Sequence, residues 1–188
     1  MAAPHNLTTI NVTAIYMMNK ALSDDIDPIL YMQGINWLNR TAISYATITL
    51  HVKHYKDENG IEHINSDQVL TGGITGTTEN RVLDGTLRDH YDYVFGAIVG
   101  ESTRRKLEDI EDDFLKGTWL SDTQEHGAIC SWLRSDTEKS GYSWTSEEVW
   151  GFEEIEGERH YARRIKFTEK PGGQVVRARI VYDYGKLK

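Results

Sequence analysis

The sequence predicts an all-β fold, an antiparallel β-barrel with a short N-terminal helical pair that caps one end. First, most of the chain alternates apolar and polar residues or is rich in β-branched ones, which favours strands. Second, turn signals such as Asn59-Gly60 and Asp84-Gly85 divide it into about eight to ten short strands. Third, helical spacing is concentrated in one stretch near the N-terminus. A closed barrel of this size encloses side chains or one small ligand.

Residues 22–55 carry that helical stretch and the long strand after it. An acidic first turn begins the first helix, and Gly34 is a natural stop. Asn36 is placed to cap a second helix, on which Trp37 and Arg40 lie three residues apart and therefore on one face. The pattern then changes to β-branched residues with period two, which indicates a strand.

The rest of the chain predicts a meander of strands. We expect strands at residues 7–21, 45–55, 61–71, 74–84, 91–100, 127–135, 144–155, 159–168 and 174–184. Residues 105–116 break the pattern and predict a short helix or an irregular excursion. Because no repeat, linker or low-complexity segment interrupts the chain, residues 1–188 are expected to form a single domain.

Composition excludes several classes of function. Lys and Arg total 21 against 29 Asp and Glu, and the net charge of −8 argues against a nucleic-acid partner. No apolar run is long enough to span a membrane, so no membrane association is expected. The N-terminus has no secretory pattern and Cys130 is the sole cysteine, which favours the reducing cytoplasm. No three potential ligands share one strand face at a suitable interval, so no metal site is predicted.

The order of one strand, two helices and a run of meandering strands resembles the fatty-acid-binding branch of the calycins. A narrower resemblance covers nearly the whole chain. It rests on the segments LSDDIDPIL, QGINWLNRTAI, ATITLHVKHY, HINSDQVLTGGITGTTENRVLDG, FLKGTWLSD, SEEVWGFEEIEGERHYARR and ARIVYDY. These segments are similar to those of small fungal lipocalin-like proteins of secondary-metabolite pathways.

That resemblance implies a reaction class rather than a particular reaction. The family includes isomerases and cyclases that need no cofactor, among them a semipinacolase-type enzyme of indole-alkaloid assembly. Arg40, in the segment WLNR, resembles the arginine that this relative uses. The resemblance therefore implies that Arg40 has a catalytic role and that no cofactor takes part.

Strand alternation identifies polar residues that point into the barrel. Arg163 shares a face with apolar neighbours in 161–167, and Glu148 shares one with the aromatic residues of 144–152. The orientation of Asp92 is ambiguous. An inward Glu148 or Asp92 near Arg163 or Arg40 would be a candidate acid–base pair. A purely structural ion pair is an equal alternative.

Glu79 and Arg81 share one face of the segment 74–84. We favour a surface ion pair for them, with a second inward acid and a substrate-binding arginine as the alternative. In the last strand, Tyr182 belongs to the apolar face, and Arg177 and Arg179 are placed outside. This departs from the lipid-binding pattern, in which a final-strand arginine and tyrosine clamp a carboxylate.

Aromatic residues are candidates for the wall of a pocket that holds a flat polycyclic substrate. These are Trp37, Trp119, Trp132, Trp144 and Trp150, each of which more often belongs to a plain core. Tyr182, Tyr93 or His51 would hold polar substituents of the substrate.

The sequence thus predicts an isomerase or cyclase that acts on a hydrophobic intermediate by general acid–base catalysis. Arg40 would stabilise an oxyanion, and Glu148, Asp92 or Glu79 would move the proton. The expected partner is a small hydrophobic polycyclic substrate, and homodimerisation is a further hypothesis. A non-catalytic carrier and a structural protein with a filled barrel are the alternatives.

Overall fold

The computed structural model describes residues 1–72, 76–92 and 94–185, and its ten strands form one antiparallel sheet. The strands are β1 (Ala14–Met18), β2 (Ile48–Lys56), β3 (Glu62–Leu70), β4 (Thr78–Val82), β5 (Arg88–Asp92), β6 (Gly96–Arg105), β7 (Ala128–Ser135), β8 (Thr145–Ile155), β9 (Glu158–Thr168) and β10 (Val175–Gly185). The all-β prediction is confirmed. The segment predicted as the strand 74–84 begins with two residues that lie outside the described ones.

The predicted helical pair is present between β1 and β2. Its helices are α1 (Asp27–Met32) and α2 (Trp37–Tyr45), and Asn36 caps α2 by accepting the backbone N–H of Asn39 at 3.0 Å. Ile29 and Leu30 of α1 are buried against the interior of the barrel, so the pair caps one end. Three further helices in the described residues are α3 (Asp113–Lys116), α4 (Ser121–His126) and α5 (Thr137–Ser140).

The sheet curls into a barrel, and within the described residues its two edge strands do not pair with each other. The strand order is β4-β3-β2-β1-β10-β9-β8-β7-β6-β5, so β4 and β5 are edge strands although they are consecutive in the chain. In the described part of the chain, side chains join the two sides of this opening. Arg104 of β6 pairs with Glu62 of β3, and Arg81 of β4 donates to Ser131 Oγ of β7 at 3.2 Å.

The end opposite the helical cap is closed by the N-terminal segment. Ala3 donates its N–H to the carbonyl of Arg159 at 2.6 Å, and the Arg159 side chain donates to the carbonyl of Leu7 at 2.8 Å. Ala3 and Leu7 are buried in the main core. β1 is shorter at both ends than the strand predicted over 7–21, so that prediction is wrong in its bounds. At the N-terminal end, an extended apolar segment that closes the barrel has the same composition as a strand.

The prediction of one strand over 91–100 is also wrong, because a turn divides that segment into β5 and β6. The Asp92 carboxylate accepts the backbone N–H groups of Val94 and Phe95 at 2.6 and 3.0 Å, and Gly96 adopts a positive φ of 76°. The predicted excursion at 105–116 is confirmed by α3 and the short 3-10 helix Leu107–Asp109.

This excursion covers the outer face of the barrel and forms a second core. Leu115, Trp119 and Cys130 are buried there. Arg164 also lies beneath it, where its guanidinium group pairs with Glu153 at 2.6 Å. Among the described residues, no helix has the length and apolar character that a bilayer crossing requires.

Replacing Gly34 with alanine is expected to destabilise the helical cap. Gly34 has a φ of 85°, and a methyl group there would lie 2.2 Å from the Tyr142 ring. We expect Gly34→Ala to lose about 1 kcal/mol for the positive φ, and a smaller amount more because the half-exposed Tyr142 ring must rotate away from the cap. Gly60→Ala is the matched control, because Gly60 has a φ of 78° and open space around it. Equal losses in chemical unfolding of the two variants would contradict the proposed Tyr142 contact.

Glu62 is expected to make the fold sensitive to acid. Burial opposes its charge, but the hydrogen bonds from His54 and Arg104 outweigh burial and lower the pKa from 4.5 to about 2. A lowered folded-state pKa stabilises the fold above the unfolded-state pKa, and that stability is lost as the pH falls. The free energy of unfolding should therefore fall between about pH 4.5 and 2, and less steeply in Glu62→Gln. The exposed Glu58→Gln control should follow the wild type, and an unchanged slope in Glu62→Gln would refute the assignment.

Candidate active site

A cavity of about 150 Å³ lies inside the barrel beneath the helical cap. We call it the capped cavity. Both helices and strands from around the barrel contribute to its walls. Its apolar lining includes Ile29, Leu30, Ile43, Ile48, Leu70 and Ile180. Four charged residues reach it or lie beside it, and they are the ones that could carry chemistry.

The first two of these residues form a buried ion pair between neighbouring strands. Arg163 of β9 donates to Glu148 Oε1 of β8 at 2.5 Å, and the Glu148 side chain is 3% exposed. Period-two alternation directs both side chains inward, as the sequence predicts, and Trp150 lies directly opposite Arg163. Ser146 Oγ donates to the same carboxylate oxygen at 3.2 Å.

The second pair comes from the edge strand β4. Arg81 pairs with Glu79, and its Nη2 lies 3.9 Å from Glu148 Oε2. Gln68 donates to Glu79 Oε1 at 3.0 Å. The favoured prediction of a surface ion pair is wrong, because Arg81 is only 10% exposed and crosses the opening to reach β7. The four charged side chains therefore form one continuous network, which we call the inner quartet.

Trp150 holds both arginines of the inner quartet in place. The Arg163 and Arg81 guanidinium carbons lie 4.5 and 4.9 Å from the centre of its ring system. Cations at this distance are attracted to the negative face of an indole ring. Trp150 also stacks against Tyr182 at 6.4 Å, so the ring positions two cations and one hydroxyl group next to the cavity.

Burial and charge set the protonation states of this site. Burial is the largest influence on Tyr182 and raises its pKa to about 12, although Arg163 opposes this shift. Burial also opposes the charge on Glu79, but Arg81 and Arg163 outweigh it and hold the pKa of that carboxyl group below its usual range. Burial opposes the charge on Arg163 too, and Glu148 and Glu79 outweigh it, so its pKa is raised. At neutral pH the site therefore contains a phenol, a carboxylate and a guanidinium cation.

The capped cavity contains unused hydrogen-bonding capacity. Among the described residues, four buried atoms of its lining residues have no hydrogen-bond partner. They are Thr77 Oγ1, Trp144 Nε1, Glu148 Oε2 and Arg163 Nε. Unsatisfied buried polar atoms are uncommon in folded proteins. Two of these atoms only donate and one accepts, so a ligand with both an acceptor and a donor would satisfy them.

Arg40 lies in the helical cap rather than in the inner quartet. Its guanidinium group binds Asp27 at 2.8 Å and the carbonyl of Ile35 at 3.1 Å, and it lies over the Tyr31 ring at 5.1 Å. It lines a separate cleft of about 260 Å³ between the helices and the loop after β1, which we call the cap cleft. Trp37, its predicted neighbour on α2, is 70% exposed.

The other predicted residues are dispersed. Trp119 belongs to the second core, and Trp132 lines an outer groove on the same side of the barrel, so neither of these two candidates for a pocket wall lines the capped cavity. His51 is exposed on β2. Asp92 holds the β5–β6 turn, and Tyr93 lies outside the described residues. Trp144 does line the capped cavity.

Sequence reasoning missed three polar residues of this site. Ser146 lies between Trp144 and Glu148 on the inward face, so the same alternation could have found it. Gln68 binds Glu79 from the neighbouring strand β3, and Ser131 binds Arg81 across the opening of the barrel; no local signal in the sequence marks either contact. In the part of the chain that the structure describes, no group of three or more His, Cys, Asp or Glu residues is arranged to hold a metal ion.

The sequence matches no protein-family model. It is 29% identical over 187 residues to the probable pericyclase scpY of Mollisia scopiformis, covering 97% of this chain and 94% of that protein. It is 28% identical over 188 residues to the pericyclase pydY of Acremonium sp., covering 98% of this chain and 97% of that one.

Solved structures with the same fold include lipid-binding proteins. A Schistosoma mansoni fatty acid binding protein in complex with arachidonic acid has a TM-score of 0.57 at 12% identity, covering 96% of this chain and 99% of that one. Caenorhabditis elegans lipid binding protein 8 has a TM-score of 0.57 at 13% identity, covering 92% and 94%. At such identities the likeness concerns the fold alone. The predicted resemblance is confirmed: this chain has the β-barrel fold of the fatty acid binding proteins, and its sequence is similar over nearly its full length to a probable pericyclase and a pericyclase from fungi.

Proposed function

We propose that this protein is a cofactor-independent isomerase or cyclase that rearranges a hydrophobic secondary-metabolite intermediate inside its barrel. The full-length similarity to two pericyclases supports this class of reaction. The observation that carries the proposal is the buried Glu148–Arg163 pair, which borders the capped cavity and keeps one carboxylate oxygen free of hydrogen bonds among the described residues.

The inner quartet favours an enzyme over a carrier. A carrier of an apolar molecule needs apolar walls and at most one polar anchor. Burying a charged side chain costs several kcal/mol of desolvation, which ion pairing offsets only in part. Burying four charged side chains next to an apolar cavity therefore costs stability that a simple binding protein does not need to lose. The same side chains can stabilise charge that develops on a substrate during a reaction.

The cavity would first contribute by its shape. Its apolar walls would hold a flexible substrate with its reacting carbon atoms close together, which removes much of the entropic barrier of a cyclisation. The free N–H groups of Arg163 and Trp144 would donate to a substrate carbonyl oxygen as its negative charge grows. The hydroxyl group of Tyr182 would add a third donor, because it remains protonated at neutral pH.

Glu148 would move the proton where the rearrangement needs one. Glu148 lines the cavity, and its oxygen Oε2, which has no hydrogen-bond partner among the described residues, would accept or return a proton of the substrate. Glu79, which is ionised, would balance the charge of both arginines. Arg40 remains a second proposed oxyanion-stabilising residue on the cap side of the cavity, and Asp92 remains a further proposed acid.

A carrier of a small hydrophobic metabolite is the second candidate function. The observation in its favour is the fold, which is shared with lipid-binding proteins, one of them in complex with arachidonic acid. The capped cavity is also predominantly apolar. The two functions differ in what happens to the bound molecule, because only an enzyme returns it rearranged.

Conversion of an accumulated intermediate tests this choice directly. Deleting the gene in the source organism should cause the substrate to accumulate, and the purified protein should convert that compound to an isomer. Because an isomerisation adds and removes no atoms, the product should have the same mass and a different retention time and NMR spectrum. Binding of the compound without conversion would refute the enzyme and support the carrier.

Removing the charge of Glu148 should slow that conversion. We expect Glu148→Gln to lower kcat by about 100-fold or more, because the amide neither accepts nor returns a proton. Glu147→Gln is the matched control, because Glu147 precedes it on β8 and pairs with Lys166 on the outside of the barrel. Unfolding and circular dichroism should show both variants folded. Full turnover by Glu148→Gln would remove Glu148 from the mechanism.

A further inference from the structure

A second chamber adjoins the capped cavity at the opening of the barrel. This chamber of about 180 Å³ lies between β4 and the β5–β6 hairpin, and we call it the side gap. Five residues line both spaces, which shows that the two are neighbours with common walls. They are Thr77, Glu79, Phe95, Ile98 and Leu133. The side gap thus connects the region of the inner quartet with the edge of the sheet.

The side gap has an apolar floor and a charged rim. Phe95, Ile98 and Leu133 form the floor, and the rim carries Arg88, Asp89, His90 and Glu101. Arg81 lines the gap with its charged group turned toward Glu148. A molecule that passes from the rim to the capped cavity would therefore meet charges first, then the inner quartet, then an apolar space.

In the described part of the chain, the edges that border the side gap are held together by side chains, Arg81 with Ser131 and Arg104 with Glu62, and not by strand pairing. Among the described residues, no strand pairing joins β4 to β5, so opening the gap breaks no ladder of backbone hydrogen bonds. On the opposite side of the inner quartet, every adjacent pair of strands from β3 round to β6 is hydrogen-bonded. The barrel is therefore most easily widened at this one place.

The cap cleft is the competing route, and polar contacts hold it together. It also borders the capped cavity, but the five residues shared between them are all apolar: Met18, Ile26, Leu30, Ile43 and Ile48. Lys20 binds the carbonyl of Ser44 at 2.5 Å, and Arg40 binds Asp27 at 2.8 Å, so two contacts span the cleft. Opening this route would break both contacts and expose the apolar partition.

We propose that the substrate enters through the side gap, and that its polar end remains there beside Glu79 and Arg81 while its apolar part occupies the capped cavity. This inference rests on the proposed function. It defines the substrate as an elongated amphipathic molecule, with hydrogen-bonding groups at one end and a hydrocarbon chain or ring system at the other. A compact hydrocarbon would occupy only the capped cavity and would make no contact with the charged rim of the side gap.

The access route can be measured by the reactivity of a thiol inside the cavity. Ile180 lines the capped cavity from β10 and lines neither the side gap nor the cap cleft. The variant Ile180→Cys therefore places a thiol at the inner end of both possible routes. The native Cys130 lies in the second core, where burial raises its pKa to about 11, and Cys130→Ser removes it from the background. A small charged methanethiosulfonate reagent then reports access, with mass spectrometry as the readout.

Tryptophan substitutions narrow one route at a time. Thr86 and Asn80 are exposed residues of the side gap, and Ser44 is an exposed residue of the cap cleft. We expect Thr86→Trp and Asn80→Trp each to slow labelling of the internal thiol by about tenfold, because reactivity follows access. Ser44→Trp is the matched control and should leave the rate unchanged. Slowing by Ser44→Trp alone, or by none of the three, would overturn the proposed route.

An amphipathic probe tests the position of the polar end. We expect 8-anilinonaphthalene-1-sulfonate to bind the wild type, and Thr86→Trp to raise its Kd by about tenfold, with no change in Ser44→Trp. Lack of binding to the wild type, or an equal effect of the two variants, would contradict the two-chamber site. Neither measurement depends on turnover. If labelling and probe binding fail while the protein converts its intermediate, the route alone is refuted. If both give the expected result while the protein binds the intermediate without converting it, the proposed function alone is refuted.

Discussion

The barrel is closed by charged side chains rather than by pairing of its edge strands. An antiparallel sheet that leaves both edges free exposes unpaired backbone groups and would tend to splay or aggregate. In the described residues, Glu62 with Arg104 and Arg81 with Ser131 bring the two sides together. These contacts set the distance between β3–β4 and β6–β7. The size of the interior, the side gap and the position of the inner quartet therefore depend on them.

The same constraint explains why charges are buried next to an apolar cavity. Arg81 closes the barrel, and its charge must then be balanced inside, where Glu79 and Glu148 lie. An ion pair inside a protein seldom adds much stability compared with apolar packing, but losing one partner leaves an uncompensated charge. The inner quartet is therefore a unit. Its cations are fixed by Trp150 before any ligand arrives, so little reorganisation would be needed during a reaction.

Much of the fold and about half of the site follow from local rules. Period two in β8, β9 and β10 correctly directed Glu148, Arg163 and Tyr182 inward, because backbone geometry fixes that alternation. Which strands meet across the opening is not encoded locally, and Glu79 and Arg81 were therefore assigned to the surface. The chain near Asp92 has the composition of a strand, and only the hydrogen bonds of its side chain reveal a turn.

The two tryptophans that lie outside the capped cavity show a second limit of predicting a residue's position from sequence patterns. Trp119 and Trp132 are large apolar residues, and their type predicts burial without saying on which face of the sheet they are buried. The excursion that includes α3 creates a second buried region on the outer face, and an apolar residue on either face of β7 can then be covered. When both faces of a sheet are covered, both faces carry apolar residues. The alternation of apolar and polar residues then no longer distinguishes the inward face from the outward face. Charged residues remain informative there, because they need a partner wherever they are buried, and Glu148 with Arg163 is the pair that alternation found for this reason.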